Sequence, residues 1–530
     1  MNTGLEARDV HRMHFDGEEL ALLDVREEAI FSQGHLLHAR SVPLSRIELR
    51  IAALVPRRST RLVLCDANDG LAERAADILA GHGYTRPFIL KNGVQGWAEA
   101  GFELFSGVNV PSKAFGEFIE RHGATPSIDA AELNRLLREK ADIVVLDSRP
   151  YDEYARVSIP TAINVPGAEL VLRVRDLAPS PRTLVVVNCA GRTRSIIGAQ
   201  SLINSGLPNP VVALRNGTMG WSLAGLACES GKNQRAPSPS SASLKWAKAA
   251  AARVAQRFGV KPVDVRTLKR WQAEAGERTL YLLDVRDPAE YERGHLPGAL
   301  SAPGGQLVQA TDQYVGTLGA RLVLLDDAGV RAVITASWLM QMGWREVFVL
   351  AEKGVETGRP AAPLLGQWQW PQARIEPAAL RKLLDKGAAT VVDVSLSRAY
   401  RAGHIPGAWY AIRARLARAL PRMALNGATL VLTSEDGILA GLAIPEARSL
   451  TDLPVACLAG GNAAWVAAGY KLEASDGNFA DEPVDVWLKP YERRTGVTSA
   501  MAEYLAWETD LLERIDRDGT CNFNFPAAKT

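Results

Sequence analysis

Cysteine is scarce in this chain: five among 530 residues, at positions 65, 189, 228, 457 and 521, odd in number and unclustered. That argues against a disulfide framework and leads us to expect a reducing cytoplasm. No Cys-x-x-Cys or His-x-x-x-His spacing occurs, so neither a metal nor another cofactor is expected. Net charge is nearly absent as well. The 61 lysines and arginines against 59 acidic residues leave +2, which gives no case for attraction to nucleic acid or to a membrane surface. No apolar run approaches the ~20 residues of a spanning helix, and the charged N-terminal stretch lacks the apolar core of a signal peptide. What remains, 47% hydrophobic and 23% charged, has the composition of an ordinary multidomain chain.

The chain repeats itself. An aspartate ends an apolar strand at Leu22-Leu23-Asp24, Val145-Leu146-Asp147, Leu282-Leu283-Asp284 and Val391-Val392-Asp393. Eleven residues after each aspartate stands His35, Ser158, His295 or His404, the last two inside Gly-His-Leu-Pro-Gly-Ala and Gly-His-Ile-Pro-Gly-Ala. A second apolar strand follows, starting near Leu62, Leu184, Leu322 and Leu430, then a polar loop and a helical pattern that is weakest in the fourth repeat. A third strand and a Gly-rich turn close each repeat, with Trp97, Trp221 and Trp465 in three of them.

At about a hundred residues each, the repeats are domains rather than solenoid units. Strands alternating with helices predict an α/β fold: four tandem domains, each a central, mostly parallel sheet flanked by helices. The expected boundaries are 1–108, 126–230, 259–360 and 372–475. Residues 108–126 read as a linker. Residues 231–258 read as a flexible Ser/Pro-rich segment dividing the chain into halves and running into a helix over 245–258. A tail over 476–530 has helical periodicity at 499–517; sequence alone does not decide whether it covers a domain or binds a partner.

One loop stands apart. Val185-Val186-Val187-Asn188 runs into Cys189-Ala190-Gly191-Arg192-Thr193-Arg194-Ser195, followed by a helix-like stretch. A thiolate is stabilised by cationic neighbours and by the N–H groups of a helix start. Simple alignment of the repeats puts Ala67, Asp327 and Glu435 at the cysteine's position, so a single site is expected to be chemically alive.

The combination of Asp-x-Arg, Glu-Tyr, Gly-His-Ile-Pro-Gly-Ala, strand-Cys-loop-Arg and Gly-x-x-x-Trp resembles the rhodanese (sulfurtransferase) family over about residues 1–475. The second repeat departs from that pattern with Val157-Ser158 for Gly-His, and the fourth with Ser395 for arginine. The resemblance implies transfer of a sulfane sulfur through a persulfide on Cys189. It implies a six-residue cradle from Cys189 to Arg194, where related phosphatases need one residue more for the larger phosphate. Arg194 and Arg192 would bind the donor, with Ala190, Gly191, Thr193 and Ser195 completing the cradle. Thiosulfate is the favoured donor and a thiol or cyanide the acceptor, although Ala190 stands where thiosulfate-using relatives often carry arginine. Asp147 and Arg149 read as a structural support, with Arg149 spaced to pair with Glu153.

The other candidates read as packing. Cys65 and Cys457 lie on strands, the recurring histidines suit turn hydrogen bonds, and the tryptophans suit core positions. Cys228 follows the second repeat, where a resolving thiol could stand, and Cys521 is unassigned. The alternatives are a persulfide carrier or protein-interaction scaffold, and a phosphatase or arsenate reductase on the same fold. The oligomeric state and the role of the three inactive repeats are not readable.

Overall fold

A computed structural model describes residues 3–352, 354–366, 372–425 and 428–526. Residues 1–2 of the expected first domain, 353 of the third, 426–427 of the fourth and 527–530 of the tail lie outside the described residues. The chain forms four 5-stranded sheets, each with its strands in the spatial order first, fifth, fourth, second, third, and every strand pair parallel. In the second module the strands are Ser127–Ile128, Ile143–Asp147, Ile163–Asn164, Leu184–Asn188 and Val211–Leu214. Two strands of each sheet are only two or three residues long, which is why three apolar strands per repeat are apparent in the sequence and five exist.

A parallel sheet is covered on both faces, so its central strands are continuously apolar rather than alternating. Val185, Val186 and Val187 are fully buried for this reason. Each contributes roughly 1.5–3 kcal/mol by leaving water, and Val186→Asp would strand a charge in the core. The helices cover the faces. In the second module Thr193–Asn204 extends the helical stretch expected after the cysteine loop. In the fourth module the matching segment is two short helices, Ile438–Leu442 and Ile444–Arg448, with Pro445 at the break. Proline lacks the N–H that would continue the first helix, which accounts for the weak periodicity.

The recurring histidines and tryptophans are structural. His35, His295 and His404 form the same antiparallel bridge, to Phe105, Glu356 and Glu473, and Ser158 makes it with Glu229 in the second module. The three imidazoles stack on Phe31, Tyr291 and Tyr400 at 3.8, 4.1 and 3.8 Å between centroids. The indole N–H groups of Trp97, Trp221 and Trp465 each donate to a carbonyl six residues on.

Both expected linkers are ordered structure. Residues 108–126 contain the helix Val110–Gly123, which packs on Thr193–Asn204; Gly116 allows close approach, since a Cβ there would press on Thr193. The segment expected to divide the halves instead joins them. Ser241–Phe258 is a helix capped by the Ser240 side chain, and Ala247, Ala250, Ala251 and Val254 are buried in a core shared by the second and third modules. Its alanine-rich face, unremarkable as composition, is what lets it lie flat between two domains. The expected tail helix is present as Val497–Asp518. No helix of the described residues is long and apolar enough to cross a membrane.

Candidate active site

Cys189 follows the strand Leu184–Asn188 at the carboxyl end of its sheet, where open α/β sheets place their ligands. The loop is shaped by close backbone approach. The Cys189 carbonyl accepts from Thr218 N at 2.8 Å and the Ala190 carbonyl from Met219 N at 2.9 Å. Gly217 makes this possible: its φ of +53° lies in the left-handed region, and a Cβ would collide with the carbonyls of Cys189 and Gly191. Gly93 and Gly461 take the same conformation against the carbonyls of Asp66 and Ser434.

That contact corrects the alignment of the repeats by one residue. Asp24, Asp147, Asp284 and Asp393 pair in register with Cys65, Asn188, Leu325 and Thr433. The residues at the cysteine's position are therefore Asp66, Asp326 and Ser434, rather than Ala67, Asp327 and Glu435. Paired acids in the third repeat (Asp326-Asp327) and a polar strand end in the fourth conceal the register in the sequence.

The correction reveals what the loop is built to hold. Asp66 accepts N–H bonds from Asn68 and Ala72 at 2.9 and 3.0 Å, and Asp326 accepts from Ala328 and Arg331 at 3.2 and 2.7 Å. Two of the three sibling loops thus cradle a carboxylate on backbone donors at the start of a helix, as P-loop-like nests do for anions. In the second module a sulfur occupies that place. Its hydrogen-bond donor is the Ser195 hydroxyl, 3.0 Å from Sγ, six residues on, where the siblings carry Ala72, Ala332 and Ala440.

Cys189 is 2% exposed and opens on a cavity of about 100 Å³, small beside the roughly 300–1,000 Å³ of pockets for drug-sized ligands. Four parts of the chain wall it. The loop residues Ala190, Gly191, Arg192, Thr193 and Arg194 line one part; Gln306, Gln309 and Ala310 of the third module a second; Trp487, Lys489, Tyr491 and Tyr504 of the tail a third; and Val108, Asn109 and Lys113, between the first two modules, a fourth. The tail therefore covers the second module. Met501 and Leu505 pack on Ala190 and Met219. Buried Glu508 accepts from the Thr193 hydroxyl at 3.4 Å and pairs with Lys113 at 3.0 Å.

The two loop arginines differ. Arg192 lines the cavity, but its guanidinium is gripped by Glu117 at 2.7 Å and by Glu120, both on the helix Val110–Gly123, and it also bonds Asn216. Arg194 pairs with Glu153 at 2.8 Å and reaches Gln306 of the third module at 2.9 Å. Burial alone would lower the Arg194 basicity, but Glu153 and the Cys189 sulfur outweigh it and hold the guanidinium firmly charged. Burial likewise would raise the Glu153 carboxyl, yet Arg194 and Lys489 hold it well below the usual carboxylate range. The expected Arg149–Glu153 pair does not form. Arg149 instead grips Asp147 through two bonds of 2.8 and 2.6 Å, and Asp147 accepts from Asn188 at 2.9 Å, bracing the strand end beneath the loop. Glu153 is drawn to two cations facing the cavity rather than to one already satisfied.

Lys113, Lys489, Tyr491 and Tyr504 were not apparent as site residues in the sequence, because they lie outside the repeats. Cys65 and Cys457 are fully buried in cores, and Cys228 is a half-buried neighbour of the Trp221 cluster. Cys521 lies 4.0 Å from His38.

The profile of the rhodanese-like domain matches residues 6–100, 129–224, 251–355 and 376–468. The chain belongs to the rhodanese-like family. Among solved structures, the crystal structure of a thiosulfate sulfurtransferase from Pseudomonas aeruginosa is similar throughout, with 48% identity, 98% of this chain and 99% of that chain covered, and a TM-score of 0.95. Among curated relatives, an HTH-type transcriptional regulator of Mycobacterium tuberculosis is 34% identical over 105 residues, 20% of this chain and 45% of that one. The uncharacterized protein YqhL of Bacillus subtilis is 37% identical over 76 residues, 14% of this chain and 59% of its own length. The chain spans about half the length of these curated relatives.

Proposed function

We propose that this four-module rhodanese-like protein is a sulfurtransferase that takes sulfane sulfur from thiosulfate and passes it on through a Cys189 persulfide. The observation that carries the reading is the sibling loops: where the second module has Cys189, the side-chain oxygens of Asp66 and Asp326 are seated on backbone N–H groups. A sulfur placed there is supported as an anion, which both halves of the transfer require. The resemblance to a thiosulfate sulfurtransferase along nearly the whole chain supports the same reaction class.

In the first step the Cys189 thiolate attacks the outer sulfur of thiosulfate. The S–S bond of the donor breaks, sulfite leaves with the bonding pair, and Cys189 carries the persulfide. In the second step a thiol or cyanide attacks the outer sulfur and restores the Cys189 thiolate. Arg194 holds the donor's charge, and Ala190, Gly191 and Thr193 supply the rim. Arg192 positions the rim by tying it to Glu117 and Glu120, and Asp147 with Arg149 braces the loop from below.

A persulfide-carrier role is the second reading. The walled cavity weighs against it, since a protein donor's cysteine would have to reach a sulfur only 2% exposed. Mass spectrometry after incubation with thiosulfate tests the choice. Wild-type protein is expected to become one sulfur heavier on the Cys189 peptide and to release it to cyanide, while Cys189→Ser does neither. Retained transfer by Cys189→Ser refutes the assignment, and loading only from a protein donor supports the carrier.

A further inference from the structure

The pair Arg194–Glu153 recurs in the third module as Arg331–Glu290, five and six residues after the matching positions, at 2.6 Å. The charge around the two pairs is opposite. Arg331 is surrounded by four carboxylates, Glu169, Glu290, Asp326 and Asp327, all within 3.0 Å. In the second module one carboxylate, Glu153, is shared by two cations, Arg194 at 2.8 Å and Lys489 Nζ at 2.9 Å. The second cation comes from the tail. A site carrying one acid between two bases keeps a positive surplus for an arriving anion, whereas the third module's does not.

Beside Lys489 stands Tyr491, whose hydroxyl is buried, makes no hydrogen bond among the described residues and belongs to a residue lining the same cavity. A buried hydroxyl without a partner is costly unless something fills the space before it. Burial and the charge of Glu153 push its ionisation up, so it stays a neutral donor. The strap holding both residues is anchored on two modules. Trp487 N donates to Glu28 of the first at 3.0 Å, and Glu492, bonded to Lys489 N at 3.1 Å, pairs with Arg156 of the second at 2.8 Å.

The geometry points to a donor subsite contributed by the tail: Lys489 and the Tyr491 hydroxyl bind the oxygens of the sulfonate-like end of the sulfur donor, while Arg194 belongs to the loop's own grip. This rests on the sulfurtransferase reading and deepens it, because it makes selection for an oxygen-rich, doubly charged donor a property of residues outside the repeats. Methanethiosulfonate provides the contrast. It delivers its outer sulfur by the same displacement, releasing methanesulfinate in place of sulfite, but a methyl group replaces one oxygen and it carries one negative charge rather than two.

The experiment compares persulfide loading of full-length wild type, Tyr491→Phe, Lys489→Gln and Lys489→Arg from the two ions. Tyr491→Phe and Lys489→Gln are expected to lose roughly tenfold in kcat/KM for thiosulfate and far less for methanethiosulfonate, so the preference between donors falls. Lys489→Arg should restore most of it, and thermal melting checks that the variants remain folded. An unchanged donor preference in variants that still load overturns the subsite and leaves the sulfurtransferase reading intact. A wild type that loads from neither ion overturns both.

Discussion

The Ser195 hydroxyl donates to the Cys189 sulfur at 3.0 Å, and alanine takes Ser195's place in each of the three modules without that cysteine. Cysteine and serine therefore occur together, one residue supplying a sulfur and the other a hydrogen bond to it. Ser195 is fully buried, so water does not replace the hydroxyl once it is removed.

Ser195→Ala is expected to slow sulfur loading about tenfold with the melting temperature nearly unchanged, because a hydrogen bond to a charged group contributes about 1.5–3 kcal/mol. Stopped-flow release of sulfite, or timed mass spectrometry of the Cys189 peptide, reads the rate. A loading rate equal to wild type would mean that the hydroxyl serves packing alone.

The two loop arginines should fail differently. Arg192→Ala leaves Glu117, 7% exposed, without its main partner, and loss of one member of a buried pair costs about 3 kcal/mol or more. Its chief effect should be a lower melting temperature. Arg194→Ala leaves Glu153 still paired with Lys489, so the fold should persist while the thiosulfate requirement rises. Melting curves beside donor saturation curves separate the two; identical profiles for both variants would contradict the assignment of roles.

The repeats, the α/β class and the loop that sets Cys189 apart were legible in the sequence because each depends on short-range pattern: an apolar strand, a terminal aspartate, a fixed offset. The cover over the site was not, because it depends on contacts between distant residues. Thr193 meets Glu508 across 315 positions, and Glu153 meets Lys489 across 336. Helical periodicity located the tail helix at 499–517 without indicating its target. Composition misled at 231–258, where Ser/Pro-rich residues precede an alanine-faced helix buried between two modules. The one-residue slip at the loops without cysteine has a similar origin: only the strand register, absent from any single repeat, shows that Asp66 and Asp326 stand in the cysteine's place.

Those aspartates should be stabilising in their own right. Asp66 is 2% exposed and accepts two backbone N–H groups; Asn68 is exposed and its N–H can turn to water, but Asp66→Ala leaves the Ala72 N–H buried and unpaired at a cost of about 1–3 kcal/mol. Asp66→Asn keeps one acceptor and should lose about half as much. Chemical denaturation of the variants measures this. An Asp66→Ala protein as stable as wild type would remove the inference that these loops are built around an anion.

A last expectation concerns pH and lies far from the sulfur. Glu27 is 4% exposed and its carboxyl is pushed up to about 7, chiefly by burial and further by the charge of Asp485, against the opposing pull of Ser45, Arg415 and Arg46. An unfolded glutamate titrates near ~4.3, so between there and 7 the folded chain holds a proton that the unfolded chain has released. Stability from this group is then fully present below the unfolded value and falls as pH rises through the window, by about 4 kcal/mol at most. Glu27→Gln cannot ionise and should escape that loss. The variant is expected to match wild type near pH 4.5 and to exceed it at pH 8, read as the difference in unfolding free energy at the two pH values. A difference that does not change with pH would show that Glu27 ionises in the folded protein as it does in water.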